Sequence, residues 1–152
     1  MTTPTSSGGR WIDPRGHRFG AILSVVILST AIVFGLPILV AFVALALFVS
    51  AWFGTRYSIL GKPWPYVRKA LKLGPPKELE SEIPPRFAQA LGSLGLGIAV
   101  VAFIVGFPVL GWLLTIAVAG LQAVLGLTGY CLGCKLYFLR WYAPGLFERF
   151  AR

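Results

Sequence analysis

Charged side chains are confined to the ends of two long apolar stretches. No charged residue occurs between Phe19 and Phe53, or between Phe87 and Cys134. Segments of about 18 or more apolar residues without charge are typical of transmembrane helices, because a helix satisfies its own backbone hydrogen bonds in lipid. The pattern therefore predicts an all-α integral membrane protein.

Each apolar stretch is too long for one upright helix. Residues 19–53 would form a helix of about 52 Å, whereas the hydrocarbon core of a bilayer is about 30 Å thick. Gly35-Leu36-Pro37 and Gly106-Phe107-Pro108 interrupt the two stretches, and Gly followed by Pro favours a turn over a mere kink. The sequence thus predicts four transmembrane helices in two tandem hairpins, at residues 19–35, 37–53, 87–106 and 108–128.

The basic residues predict the orientation of these spans. They lie before the first hairpin, between the hairpins and after the second, and neither hairpin tip carries one. By the positive-inside rule the N-terminus, the central loop and the C-terminus are cytoplasmic, in a multi-pass protein of the bacterial inner membrane. The net charge of +9 is then explained by contact with anionic lipid headgroups, and a nucleic-acid partner is not predicted.

Five segments follow from this pattern. They are a cytoplasmic tail at 1–17, the first transmembrane hairpin at 18–53, a cytoplasmic loop at 54–85, the second hairpin at 86–130, and a C-terminal segment at 131–152 with a short interfacial helix. In the central loop, Trp64, Val67 and Leu71 recur at helical spacing opposite basic residues. This spacing predicts a second short helix lying in the membrane interface.

The two halves of the chain resemble each other. An Arg-Phe pair opens each half at Arg18 and at Arg86, and each half then has an apolar span, a Gly-x-Pro turn and a second span. A Thr-x-Tyr pattern follows at Thr55 and at Thr128, so that Ser58 stands at the position that matches Cys131. The matching order indicates a tandem duplication whose two copies have the same orientation in the membrane.

Cys131 and Cys134 form the motif most capable of chemistry. Two cysteines separated by two residues, at the start of a helix and next to Lys135, are suited to thiol and disulfide exchange. The pair could also supply half of a metal site, which His17 would join only if another chain completed it. Alternatively, it is interfacial packing without a function. No structural disulfide is expected on the cytoplasmic side, and no cofactor is predicted.

Few other polar residues offer a function. Asp13 is expected to cap the first helix or to pair with Arg15 or Arg18. Gln89 and Gln122 are the only amide side chains within the spans, and Gln122 is expected to form a hydrogen bond between helices. The absence of ionisable residues within the spans argues against a proton relay or an ion pathway.

Three motifs together carry a resemblance to a known family. They are Ile12-Asp13-Pro14-Arg15-Gly16-His17-Arg18-Phe19, Pro84-Pro85-Arg86-Phe87-Ala88-Gln89 and Gly129-Tyr130-Cys131-Leu132-Gly133-Cys134. The chain resembles a family of bacterial integral-membrane proteins, common in actinobacteria and classed as a domain of unknown function. The resemblance implies a four-span protein with a C-terminal pair of cysteines, associated with thioredoxin-like or sulfurtransferase proteins.

Two functions therefore remain from the sequence. In the first, Cys131 and Cys134 are a cytoplasm-facing redox pair that serves a thioredoxin-like or sulfur-transferring protein. In the second, the chain is a non-catalytic accessory or assembly subunit of a larger membrane complex, for example a respiratory one. No catalytic apparatus other than the cysteine pair can be recognised.

Overall fold

The computed structural model describes residues 11–133 and 135–136. This part of the chain is mostly helical, and its α-helices are α1 (Pro14–Phe34), α2 (Pro37–Phe53), α3 (Trp64–Ala70), α4 (Ile83–Val105) and α5 (Pro108–Thr128). Helices α1, α4 and α5 are long and apolar enough to cross a membrane, and α2 is apolar but shorter, with 17 residues.

The two Gly-x-Pro motifs end one helix and begin the next. Gly35 and Gly106 adopt left-handed conformations with φ of 62° and 91°, which glycine reaches without a steric penalty. Pro37 and Pro108 are the first residues of α2 and α5, where a proline does not cost a hydrogen bond. These turns lie where the sequence predicts them.

The first helix of each half begins earlier than the sequence predicts. Helices α1 and α4 start at Pro14 and Ile83, whereas the apolar pattern placed the starts of the spans at about residues 19 and 87. Asp13 caps α1, because its carboxylate accepts a hydrogen bond of 2.9 Å from the backbone N–H of Arg15. The predicted cap is confirmed, although the ionic partner of Asp13 is Arg68 at 3.8 Å.

The main helix contacts run between the two halves of the chain. Helix α1 packs chiefly on α5, α2 packs chiefly on α4, and α4 also packs on α5. Leu28, Val40 and Leu96 are fully buried in the core between these helices. Large apolar side chains elsewhere stay exposed on the outside, among them Val33, Ile38, Ile104 and Val109. An apolar surface of this extent is suited to lipid or to another membrane protein.

Two arginines join the halves in a reciprocal way. The guanidinium of Arg18, on α1, donates a hydrogen bond of 3.1 Å to the carbonyl oxygen of Leu127, in the last turn of α5. Arg86, on α4, donates bonds of 3.0 Å to the carbonyl oxygens of Ala51 and Trp52, in the last turn of α2. The last carbonyls of a helix have no partner within the helix, so each arginine satisfies the end of a helix from the other half.

Helix α3 docks on the start of α1. The indole N–H of Trp64 donates to the Asp13 carboxylate at 3.2 Å, and its ring lies 5.7 Å from the ring of Phe19. The helix ends at Ala70, earlier than the pattern through Leu71 predicts. Trp64 is therefore fixed against the start of α1.

A short pair of strands lies at the same end of the molecule. Strand β1 (Trp11–Ile12) pairs with β2 (Glu80–Ser81) in antiparallel register. The prediction of an all-α fold missed this pair, because strands of two residues leave no periodic signal. The pair holds the chain before α1 next to the chain before α4.

Candidate functional site

A helical turn follows Cys131 just after α5. Gly129, with φ of 74°, ends α5 and redirects the chain. The carbonyl oxygen of Cys131 then accepts a hydrogen bond of 3.0 Å from the backbone N–H of Lys135. The Lys135 ammonium lies 4.7 Å from the centre of the Tyr130 ring. Cys131 therefore directly precedes a helical turn that begins at Leu132, and Lys135 contacts the neighbouring aromatic ring. The rest of the predicted C-terminal helix lies outside the described residues.

Thr128 does not cap this turn. Its hydroxyl donates to the carbonyl oxygen of Val124 within α5 and accepts from the backbone N–H of Tyr130 at 3.1 Å. Thr128 therefore stabilises the end of α5.

Cys131 is half-buried and disulfide-bonded. No cysteine in the described part of the chain is free. Cys134 is the other cysteine of the sequence and lies outside the described residues. The presence of this bond differs from the expectation that a cytoplasmic position would carry no structural disulfide.

The turn at Cys131 packs closely on α4. A Cβ atom added to Gly133 would lie 2.6 Å from the Cβ of Ala88, so this position accepts no side chain without movement. The first half has the same local bond, since the carbonyl oxygen of Ser58 accepts 3.0 Å from the N–H of Lys62. Ser58 thus has a backbone role equivalent to that of Cys131.

Three cavities lie side by side at this end of the molecule and share His17 in their walls. A polar cavity of about 280 Å³ is lined by Asp13, Thr55, Arg56 and Ser58, among others. A charged groove of about 470 Å³ is lined by Arg15, Arg18, Lys77, Glu78 and Glu80. An apolar cavity of about 150 Å³ is lined by Leu91, Leu121, Leu125 and Leu136. Cys131 lies on the walls of both the charged groove and the apolar cavity.

His17 lines all three cavities. Its Nε2 atom is buried and has no hydrogen-bond partner among the described residues. Buried polar atoms in proteins are nearly always paired, so this nitrogen marks a position for a water molecule, a proton or a ligand. Within the part of the chain that the structure describes, no cluster of three metal-binding side chains occurs. The metal alternative for His17 thus still requires another chain.

The two glutamines have different surroundings. Gln89, on α4, accepts a buried hydrogen bond of 2.6 Å from the hydroxyl of Ser50, on α2. Gln122 lines the apolar cavity and makes no hydrogen bond within residues 11–133 and 135–136. The predicted hydrogen bond of Gln122 between two helices is therefore absent from the described residues. Gln89 has that role, and Gln122 is a polar group facing a cavity.

The burial of the Nε2 atom of His17 was not predicted, although the sequence contains a signal for it. Once α1 begins at Pro14, His17 shares a helix face with the buried Ala21, Ser24 and Leu28, at spacings of three and four residues. The late predicted start of the helix left His17 in the tail. His17 and Cys131, both named by the sequence analysis, therefore line the same cavity, whereas Cys134 lies outside the described residues.

Comparison with known proteins identifies one family. The family model described as Domain of unknown function (DUF4395) matches residues 12–141. No curated protein and no solved structure matches the chain.

Proposed function

The chain belongs to the family described as Domain of unknown function (DUF4395), and we propose that it exchanges thiols and disulfides through Cys131 and Cys134 at the cytoplasmic surface of a bacterial inner membrane. The partner is a thioredoxin-like or sulfur-transferring protein. One observation carries this proposal: Cys131 lies in the wall of the charged groove. A soluble protein seated in that groove would contact it.

The groove has the character of a docking site for a polar protein. Arg15, Arg18 and Lys77 lie in it together with Glu78 and Glu80. Charges of both signs around a small contact give specificity and orient the partner, although each exposed pair adds little to affinity. A partner seated there would reach the disulfide of Cys131 without entering the bilayer.

The exchange needs no group beyond the two disulfide-forming pairs. A thiolate of the reduced partner attacks the Sγ of Cys131, the Cys131–Cys134 bond breaks, and Cys134 leaves as a thiolate that takes up a proton. The second thiolate of the partner then attacks the partner's sulfur atom in the mixed disulfide. The partner thereby forms its own disulfide, and Cys131 is released as a thiolate. Two electrons and two protons pass to the pair, and the partner becomes oxidised; the reverse sequence restores both proteins.

A direct assay tests this function. The full chain in lipid vesicles is mixed with reduced thioredoxin under anaerobic conditions, and thiols are counted by mass after alkylation. We expect two thiols to appear in the chain as two disappear from thioredoxin. The variant in which Ser replaces both cysteines is the control and should leave thioredoxin reduced. Equal oxidation of thioredoxin by the wild-type chain and the control would refute the function.

The proposed membrane arrangement is four spans in two duplicated hairpins, with both termini cytoplasmic. Helix α2 would be about 26 Å long at 1.5 Å per residue, which a slightly thinned bilayer accommodates. Exposed aromatic residues lie near the basic ends of the helices, among them Trp52, Tyr66 and Tyr130. Aromatic and basic residues together are typical of the cytoplasmic interface.

Labelling in intact cells tests this arrangement. In a chain whose native cysteines are replaced by Ser, Leu36→Cys and Phe107→Cys are expected to react with a maleimide that cannot cross the membrane. Both positions are accessible, since Leu36 is 42% and Phe107 is 64% exposed. Ser58→Cys is the matched control and should react only after the membrane is opened. Labelling of the control from outside would reverse the orientation.

A second function, that of an accessory subunit, is favoured by a different surface. An apolar groove of about 640 Å³ lies between α2 and α4, and its lining includes Trp52, Leu94 and Ile98 with the small residues Ser93 and Gly97. Small residues spaced by four allow a transmembrane helix to pack closely. If a larger complex uses this groove, Gly97→Leu should release the chain from that complex during purification, whereas Gly120→Leu, on α5, should not.

A further inference from the structure

We propose that the apolar cavity binds the ring of a lipid-soluble quinone, and that this quinone exchanges electrons with the cysteine pair. The inference rests on the proposed redox function and names a second reactant for it. Four features of the cavity support it: its opening, its volume, its polar groups and its contact with Cys131.

The cavity is accessible from the bilayer. Leu91, Leu121 and Leu136 line it and are 42%, 52% and 49% exposed. Leu91 and Leu121 belong to α4 and α5, the two long apolar helices of the second half. A ligand entering past these leucines would therefore come from the lipid phase and would itself be apolar.

The volume of the cavity fits one ring. At about 150 Å³ it matches the size of an engineered apolar cavity in another protein that holds benzene. An isoprenoid or acyl tail does not fit in that space, so the tail of the ligand would extend between the leucines into lipid. A planar six-membered ring with an apolar tail is the architecture of a quinone.

The polar groups of the cavity suit carbonyl oxygens. Gln122 has an amide without a hydrogen bond in the described part of the chain, and Nε2 of His17 is likewise unpaired there. Gln89 adds an amide whose oxygen is already bonded to Ser50, which leaves its N–H groups as donors. Of the described residues lining the cavity, none is Asp, Glu, Lys or Arg. A neutral ligand with hydrogen-bond acceptors fits this lining, whereas a charged lipid headgroup does not.

Cys131 lies in the same wall and supplies a reaction. When the reduced pair meets the quinone, two S–H bonds break and one S–S bond forms between Cys131 and Cys134. The two electrons and two protons convert the two C=O groups of the quinone into the two C–OH groups of the quinol. The charged groove then delivers electrons from the soluble partner, and the apolar cavity transfers them to the membrane pool.

The test uses 2-decyl-1,4-benzoquinone, whose ring carries only the short tail, with the reduced full chain in lipid vesicles without oxygen. We expect the loss of two thiols per chain and an equal gain of quinol. Gln122→Met keeps the side-chain length but removes the amide, and should raise the quinone concentration at half-maximal rate about tenfold, the value of one hydrogen bond. Thr115→Val is the matched control, since it removes a buried polar group from the same helix outside the cavity.

A photoreactive azidoquinone separates this inference from the proposed function. It should attach to residues 118–125 of α5 in the wild-type chain and in Cys131→Ser, because binding of the ring does not require the thiol. Exchange with thioredoxin without photolabelling or quinol formation would overturn the quinone site and leave the exchange function standing. Photolabelling at the cavity without thiol exchange or quinol formation would leave the quinone site standing. It would overturn both the exchange function and the electron transfer. Equal half-maximal concentrations for Gln122→Met and Thr115→Val would overturn the assigned cavity.

Discussion

Thiol exchange is expected to stop when Cys131 is replaced by Ser, and the partner is expected to stay covalently attached when Cys134 is replaced by Ser. Cys131 lies in the wall of the charged groove, so we expect its sulfur to form the mixed disulfide with the partner. Trapping uses the reverse reaction, in which the thiolate of Cys131 attacks the disulfide of the oxidised partner. Without Cys134 no thiol of this chain can then resolve the mixed disulfide. A non-reducing gel, followed by mass spectrometry of the linked peptide, measures both results.

Ser58→Ala is the matched control for the cysteine variants. Ser58 holds the same backbone position in the first half and also lies near the end of a span, so its replacement should leave exchange and trapping unchanged. A partner trapped on Cys134 in the Cys131→Ser chain would contradict the assigned order of attack. Full function in a cell that carries only the double-Ser chain would reduce the pair to a packing feature.

A large loss of stability is expected from Gly126→Ala, because α5 and α1 are in close contact at this glycine. A Cβ atom at position 126 would lie 2.7 Å from Cγ1 and 3.3 Å from the backbone nitrogen of Ile22. Either the side chain of Ile22 or the two helices must move, and overpacking of this kind costs about 1–3 kcal/mol. Thermal unfolding in detergent, followed by circular dichroism, should show a lower midpoint than for the wild-type chain.

Gly120→Ala provides the comparison on the same helix. Nothing lies within 4 Å of a Cβ atom added there, so the gain in helix propensity, about 0.5–1 kcal/mol, should appear without a clash. The two substitutions have the same chemistry and should shift the midpoint in opposite directions. Equal shifts would mean that the close contact of α1 with α5 does not exist in the folded protein.

The helix boundaries inside the apolar stretches could be predicted because they depend on local chemistry. Gly35 and Gly106 supply left-handed backbone, and Pro37 and Pro108 begin helices. The first residues of α1 and α4 were predicted less accurately. There, polar and charged residues continue the helix beyond the apolar pattern, and the cap at Asp13 also depends on Trp64 from a distant segment.

The environment of the candidate site depends on contacts between distant parts of the chain. The sequence identified Cys131 and His17 but gave no reason to bring them to one cavity. That arrangement follows from the packing of α1 on α5 and from the turn at Gly133, which contacts Ala88. The unpaired amide of Gln122 could not be predicted either. Whether a glutamine in a span bonds to another helix or faces a cavity depends on which side of its helix meets a neighbour.

The reciprocal contacts of Arg18 and Arg86 bear on how the protein is made. The first hairpin leaves the ribosome before α4 and α5 exist, so the carbonyl groups at the end of α2 must wait for Arg86. Arg18 in turn must wait for the last turn of α5. Neither half alone can pair the last carbonyl groups of its second helix. We therefore expect the hairpins to insert one after the other, and the two halves to assemble in one step after synthesis. The chain can be divided in the loop before residue 78 and its halves produced as separate polypeptides. The two halves should associate in the membrane when they are produced together, and each should be degraded when it is produced alone.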